Sequence, residues 1–451
     1  MTVVSSIFWG VVVLSLLVML HEGGHFLIAR ACGMRVTEYY LGMPCKLHIA
    51  RKSKKYGTEF GVTPILLGGY TRICGMESLG DENLARVLAC VQRSGSTNAS
   101  RIAQELSCDE DSVLDDLMVL SDWASIRACG DAAKGEEATE TYETRRRDQQ
   151  MLTEYDKGHE FSGSGTTEAG MPRPVEDPEA FLDFERRRTY VGKGFWKRFI
   201  TLFAGAATNI LLAFVIVSVV IMAVGYQTVV DTNTLGSVQQ GSLAEAAGIQ
   251  AGDTLEVVNG YTCSNWTDIT DAVEAALDAS EPFEVVYQRD GTSYTTTIDL
   301  PTDGSVTAIG VVASTEIYHP TILEASGLAL SYGVLVAKAA VELIMPQHTM
   351  EILSQSSSVV GISVMASEAA SSGIENLLLF IAAISMSLGF MNLLPIPPLD
   401  GGKIVIEIVQ VVIRRPLSMK AQVAISYVGL AFFAFIFFYA LQNDITNFVL
   451  S

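Results

Sequence analysis

The sequence predicts a polytopic α-helical membrane protein with four transmembrane helices, a cytoplasmic membrane-associated β-hairpin, and small folded domains on both sides of the bilayer. Three observations carry this. Of 451 residues, 49% are hydrophobic and only 18% charged, too apolar for an ordinary soluble protein. Uninterrupted apolar stretches cover residues 3–20 (running on into 26–29), 199–224, 377–394 and 425–441, each close to the roughly 17–25 residues that cross hydrocarbon as a helix. Lys and Arg then alternate from loop to loop in the way that orients such spans.

In chain order, segment 1–41 holds the first transmembrane helix. It has no basic residue before Arg30 and no small-residue cleavage pattern, so it reads as a retained span and not as a signal peptide. Eight basic residues against three acids between Arg30 and Gly80, with Arg186, Arg187, Arg188, Lys193, Lys197 and Arg198 ahead of the second span, put this loop in the cytoplasm. Segment 42–80 breaks into short strands at 47–50, 58–62 and 65–73, with Gly68 and Gly69 inside the last. Such a hairpin reaches back toward the bilayer if protein covers it.

Segment 81–130 reads as three helices, at 84–92, 99–106 with Asn98 as N-cap, and 109–120. Their core positions are Val87, Leu88, Val91, Ile102, Leu106, Val113, Leu117 and Leu120, and the order resembles a winged helix-turn-helix domain. Seven acids against four Arg between Leu84 and Gly130, in a chain of net charge −20, speak against nucleic acid and for a cytoplasmic protein partner of unknown identity. Segment 131–190 is polar, with Gly163, Gly165, Pro172, Pro174 and Pro178, and reads as an acidic flexible linker. On that reading, residues 81–185 form an accessory that can be removed without disturbing the membrane part.

The second helix lies in 191–225. Segment 226–315 carries Arg289 alone against fourteen acids from Tyr226 to Pro320, which places it outside the cell. Its run from Ser242 to Gly260 resembles a PDZ domain, a fold that binds an extended peptide or chain end by strand addition. Segment 316–375 reads as interfacial amphipathic helices, because Glu324, Lys338 and Glu342 interrupt it and a fifth span would break the alternation of charge. The third helix lies in 376–402, a basic cytoplasmic segment in 403–424 and the fourth helix in 425–451, which leaves both termini extracytoplasmic. Six of seven cysteines precede residue 130, which suits a reducing compartment, and Cys263 offers a labelling site outside.

The chemistry concentrates in His21-Glu22-Gly23-Gly24-His25. On a helix His21 and His25 are one turn apart on one face and converge on one metal, while Glu22 reaches its water as general base. The motif falls toward the inner end of the first span, where ionisable groups are costly and usually functional. Two histidines leave zinc one protein ligand short. The third span ends in Asn392-Leu-Leu-Pro395-Ile-Pro397-Pro398-Leu399-Asp400-Gly401-Gly402, and the inferred topology brings Asp400 to the same inner side. His48, His159, His319 and His348 stand without a spaced partner.

Together the HEGGH motif, the Leu66–Tyr70 glycine hairpin, the Phe195–Phe199 entry to the second span, a single PDZ-like domain and the NLLPIPPLDGG run resemble the site-2 protease family of intramembrane zinc metalloproteases. The nearest branch is the bacterial regulator-of-sigma-E protease type. The resemblance covers about residues 3–80 and 190–441. It implies a multi-pass protein of the bacterial inner membrane, in which His21, His25 and Asp400 bind Zn2+ and Glu22 activates water near the cytoplasmic side. It also implies that Asn392 contacts substrate backbone, that Gly68, Gly69 and Tyr70 pair with an unwound substrate strand, and that the substrates are single-span proteins such as an anti-sigma factor or a signal-peptide remnant. Two positions depart from the family pattern: Ala206 stands where proline is common, and Gly42-Met43-Pro44 replaces a longer glycine turn. The rival reading is a catalytically silent membrane scaffold displaying its PDZ-like domain, and the intact motifs weigh against it.

Overall fold

The computed structural model describes residues 3–448 apart from 67, 77–82, 130–140, 301–307, 355, 416 and 418. It divides into two units, Met1–Val217 with Leu328–Ser451, and Ser218–Gly327.

In the first unit, helix α1 (Val3–Ala31) runs through the first apolar stretch and stops one residue before Cys32-Gly33, where Gly33 takes φ +72°. A sheet follows: β1 (Val36–Leu41), β2 (Ile49–Lys52), β3 (Glu59–Val62) and β4 (Gly69–Ile73), in the order β2-β3-β1-β4. It is larger than the expected hairpin, because the Val, Thr and Tyr side chains of 36–41, assigned to the helix segment, favour a strand once the helix has stopped. β1 runs parallel to β3 and antiparallel to β4, which leaves β4 at the edge. The sheet is tied to α1 by three bonds: Tyr39 Oη donates to the Met19 carbonyl at 2.6 Å, Thr71 Oγ1 to the Glu22 carbonyl at 3.0 Å, and Ser15 Oγ to the Leu66 carbonyl at 2.8 Å. The loop before β4 therefore lies alongside the helix from residue 15 to residue 22.

Next come α2 (Leu84–Ser94), β5 (Ser96–Asn98), α3 (Ala99–Leu106), α4 (Glu110–Asp122), β6 (Ile126–Cys129) and β7 (Thr141–Thr144), with the strands ordered β5-β7-β6. The Asn98 side chain caps α3 by accepting from the Arg101 amide at 3.0 Å, and Val87, Leu88, Val91, Ile102, Val113, Leu117 and Leu120 are buried together while Leu106 is half-buried.

The expectation of a flexible linker at 131–190 is corrected by a folded segment. Residues 131–140 lie outside the described residues, but from Thr141 onward the chain holds β7, α5 (Pro178–Arg186) and a buried ion-pair network. Arg35 donates through Nε and Nη2 to Asp156 at 2.8 and 2.7 Å and through Nη1 to Glu185 at 2.7 Å; Arg147 Nη1 donates to the other Glu185 oxygen at 2.8 Å. Arg35 is 1% exposed and Glu185 0%. Composition marked this segment as too polar to pack, yet charges that find hydrogen-bonded partners are buried after all.

Helix α6 (Phe195–Val224) leads into the second unit, which holds β8 (Tyr226–Val229), β9 (Leu235–Val238), α7 (Leu243–Ala246), β10 (Thr254–Val258), β11 (Tyr261–Thr262), α8 (Trp266–Ala279), β12 (Phe283–Arg289), β13 (Thr292–Ile298), β14 (Val311–Ala313) and β15 (Thr315–Tyr318). An antiparallel sheet in the order β11-β10-β12-β13 packs Leu255, Val258, Val285 and Ile298 against Ile269, Ala272 and Ala276 of α8, and β14 pairs with β9. Cys263 belongs to this core at 3% exposure, so it is not the surface thiol expected.

The chain ends with α9 (Ile322–Leu343), α10 (Thr349–Ser354), α11 (Val359–Ser372), α12 (Ile374–Asn392), α13 (Asp400–Ile413) and α14 (Met419–Phe448). Among the described residues five helices are long and apolar enough to cross a membrane: α1, α6, α9, α12 and α14. α9, expected to lie in the interface, meets the same length and composition criterion as the other four.

Candidate active site

His21 and His25 project from the buried face of α1, and the loop between α12 and α13 brings Asp400 to them across 375 residues of sequence. His21 Nε2 and His25 Nε2 each stand 3.1 Å from Asp400 Oδ2 and 3.3 Å from one another. Among the described residues this is the one cluster of three metal-donor side chains, and both imidazoles are buried. A tetrahedral ion with ligand bonds of about 2.0–2.1 Å needs donors roughly 3.3 Å apart, so two imidazoles and a carboxylate at these separations fit a zinc-like ion.

The second ring nitrogens are also engaged. His25 Nδ1 lies 2.7 Å from the Thr201 carbonyl, which can only accept, so the ring carries its proton on Nδ1 and turns its Nε2 lone pair toward Asp400. His21 Nδ1 faces the Asn209 side-chain nitrogen at 3.5 Å, and the Asn209 oxygen is buried with no hydrogen-bond partner among the described residues. A ligating His21 carries its proton on Nδ1 as well, and turning the Asn209 amide over brings that orphaned oxygen to accept it.

Close packing of α6 makes this possible. A Cβ on Gly205 would stand 2.3 Å from His25 Nε2 and 2.7 Å from His21 Nε2, and one on Gly24 would stand 2.5 Å from the Ala204 carbonyl oxygen. Only glycine lets the two helices approach so near. By contrast, a Cβ on Gly23 would meet only the Tyr39 hydroxyl at 3.5 Å, so just one glycine of the HEGGH motif is required by packing. Gly401 and Gly402 are required too: their Cβ atoms would come within 2.3 Å of Leu393 and 2.2 Å of Pro397, because the α12–α13 loop folds tightly over the start of α13.

The other expected site residues fall around this centre. Glu22 is half-buried on α1 beside β4: a Cβ on Gly69 would stand 2.9 Å from the Tyr40 carbonyl oxygen and 3.5 Å from Glu22 Cγ, so the glycine lets β4 pack closely beside it. Gly68 takes φ +145°, a conformation that glycine alone adopts freely, and turns the chain into β4. The Tyr70 ring stacks on Tyr40 at 5.3 Å and its hydroxyl donates to Glu38 at 2.9 Å, so it braces the sheet. Asn392 ends α12 half-buried, and its side chain makes no hydrogen bond among the described residues. Thr201, Gly205 and Asn209 are the residues that sequence reasoning missed; the run of small residues Ala204 to Ala207 inside an apolar helix was the available signal of close helix approach.

A family model for peptidase family M50 matches residues 9–436, nearly the whole chain and both arms of this centre. The chain belongs to peptidase family M50. This M50 member is 27% identical over 449 residues to a putative zinc metalloprotease of Streptococcus pyogenes, covering 96% of this chain and 97% of the relative. It is 25% identical over 452 residues to the regulator of sigma-W protease RasP of Bacillus subtilis, 98% of each chain. To the zinc metalloprotease RasP of Geobacillus kaustophilus it is 26% identical over 453 residues, 99% of each.

Proposed function

We propose that this chain is an intramembrane zinc endopeptidase that hydrolyses peptide bonds within the membrane segments of single-span proteins. The carrying observation is the set of two imidazoles and one carboxylate at 3.1–3.3 Å, with Glu22 next to His21 in sequence. Zinc, when bound, supplies Lewis acidity that polarises a carbonyl and lowers the pKa of water toward neutrality. His21, His25 and Asp400 hold it, and Asn209 and the Thr201 carbonyl orient the two rings. Glu22 removes the proton from the attacking water and returns it to the leaving amine.

Substrate has to arrive unwound, since a helix hides its carbonyls in its own hydrogen bonds. β4 supports this role: it is an edge strand, it begins at Gly69 beside Glu22, and its free edge suits pairing with an extended peptide. Asn392, with an uncommitted amide at the end of α12, is the second group for peptide backbone. In bacterial relatives the named activities are zinc metalloprotease and regulation of sigma-W, and trimmed anti-sigma factors or signal-peptide remnants are the substrate classes that suit a single-span cleavage site.

The spans in this reading are α1, α6, α12 and α14, with α9 in the outer interface on account of Glu324, Lys338 and Glu342. The second unit serves as a PDZ-type filter. A groove of 640 Å³ runs between α8 and residues 308–311, which lead into β14, and among the described residues β14 pairs with β9 alone, so its other edge suits a peptide or chain end. The helix–strand–helix–helix–strand–strand order of 84–144 supports the winged-helix reading, with a cytoplasmic protein as partner.

Metal analysis of the purified protein tests the ligand set. Asp400→Ala is expected to fall from about one zinc per chain to a small fraction of that, because two ligands hold zinc far less tightly than three; a full complement of zinc would remove Asp400 from the site. Topology is tested with an impermeant thiol reagent on intact cells. Since Cys263 is buried, a cysteine introduced at the exposed Thr267 is the reporter, and it should be modified while Cys108 and Cys129 are spared. Modification of Cys108 or Cys129 from outside would invert the orientation.

A further inference from the structure

In a chain of net charge −20, one cleft concentrates the opposite sign. It has a volume of 680 Å³ and lies between the last turn of α1, the loop at 152–157, α5 and the residues leading into α6. Five cations line it: Arg30, Lys157, Arg187, Arg188 and Lys193. Among the described residues only two carboxylates face them. Asp156 is already engaged by Arg35 through both oxygens, and Asp183 lies exposed on α5. Lys157, Arg187 and Lys193 make no ion pair among the described residues.

Two of the guanidinium groups, Arg188 and Arg30, are held in place, and the one carboxylate near them is shared with Arg35. Arg188 donates to the Phe184 carbonyl at 2.6 Å, lies over the Phe184 ring at 3.7 Å, and is 3.4 Å from the shared Asp156. Arg30 donates to the Tyr155 carbonyl and stacks over Tyr56 at 5.3 Å. Burial, reinforced by the charges of Lys197 and Arg188, pulls the Lys193 ammonium below its usual range, as expected of cations crowded together without enough anions. Fixed guanidinium forks beside free ammonium groups recognise phosphate in particular.

The position narrows the ligand further. Arg30 closes one helix long and apolar enough to cross a membrane, and Lys193 stands two residues before another, next to Trp196, which is 72% exposed. Headgroup phosphates lie at that level, and interfacial Trp and basic residues meet them there. We propose that this cleft binds a phosphate-bearing anion, supplied by the headgroup of an anionic phospholipid or by a soluble phosphate compound. It is independent of the protease chemistry.

The test uses the full chain in a neutral detergent, with binding followed by native mass spectrometry against phosphatidylglycerol, phosphatidylcholine and pyrophosphate in separate titrations. One equivalent of phosphatidylglycerol should bind, and the triple variant Lys157→Gln, Arg187→Gln, Lys193→Gln should lose at least tenfold in affinity with an unchanged melting temperature. A control that removes three charges elsewhere, Lys46→Gln, Lys54→Gln and Arg101→Gln, should bind as the parent does. Saturation by pyrophosphate with no preference for phosphatidylglycerol over phosphatidylcholine would assign the site to a soluble phosphate. A triple variant that binds phosphatidylglycerol and pyrophosphate as tightly as the parent does, or no binding of either by the parent, overturns the proposal.

Discussion

Glu22→Gln is expected to abolish peptide hydrolysis while leaving zinc bound. The substitution keeps the shape and the hydrogen-bonding reach of the side chain, and Glu22 is not one of the three donors at 3.1–3.3 Å. What disappears is a base, and proton transfer by a positioned base is worth about 10²–10⁴ in rate. The surroundings argue that only this function is touched. The Glu22 backbone is held by Thr71, and its side chain borders Gly69 at the start of β4. Cleavage of a fluorescent single-span substrate, measured beside the metal content of the same preparation, reads both halves of the expectation. Activity within tenfold of the parent would take Glu22 out of the mechanism, and loss of zinc would make it a ligand.

The centre was legible where its logic is local. Two histidines four residues apart declare a shared helix face, and Asp400 announces itself beside glycines at the end of a span. Thr201, Gly205 and Asn209 were not legible in that way, because their role exists only once α6 has packed against α1, and a run of small residues signals closeness without saying what it is close to. The sheet is legible as short strands but not as four, since the run at 36–41 follows closely on the apolar helix before it. The sharpest failure concerned residues 141–190. Composition sums each charge as a cost of burial, whereas Arg35, Arg147, Asp156 and Glu185 come from distant positions and cancel inside the fold. A linear count cannot see that pairing.

That network argues against residues 81–185 being a detachable accessory. Arg35 opens β1 directly after α1, and its partners Asp156 and Glu185 belong to the region that was to be removed or flanked by the cut. A single substitution tests the point more cleanly than a deletion. Glu185→Leu leaves two guanidiniums, Arg35 and Arg147, buried with one carboxylate fewer, and breaking a buried pair in this way costs about 3–5 kcal/mol. That is a large share of the stability of an ordinary domain. The fall in unfolding free energy should be accompanied by faster proteolysis within 141–190, and the further change Arg147→Met in the same chain should recover part of the loss. Acid should act in the same direction. Burial alone would raise the Glu185 pKa, but Arg147 and Arg35 outweigh it and hold the carboxyl well below the usual range. Its contribution is therefore fully present above the unfolded value of about 4.3 and is lost as pH falls toward the lowered folded value. The parent should lose stability progressively below about pH 4, and Glu185→Leu should show a shallower dependence in that window. If the variant melts within about 0.5 kcal/mol of the parent, as an ordinary surface substitution would, then the network is not what fastens this region to the start of the sheet.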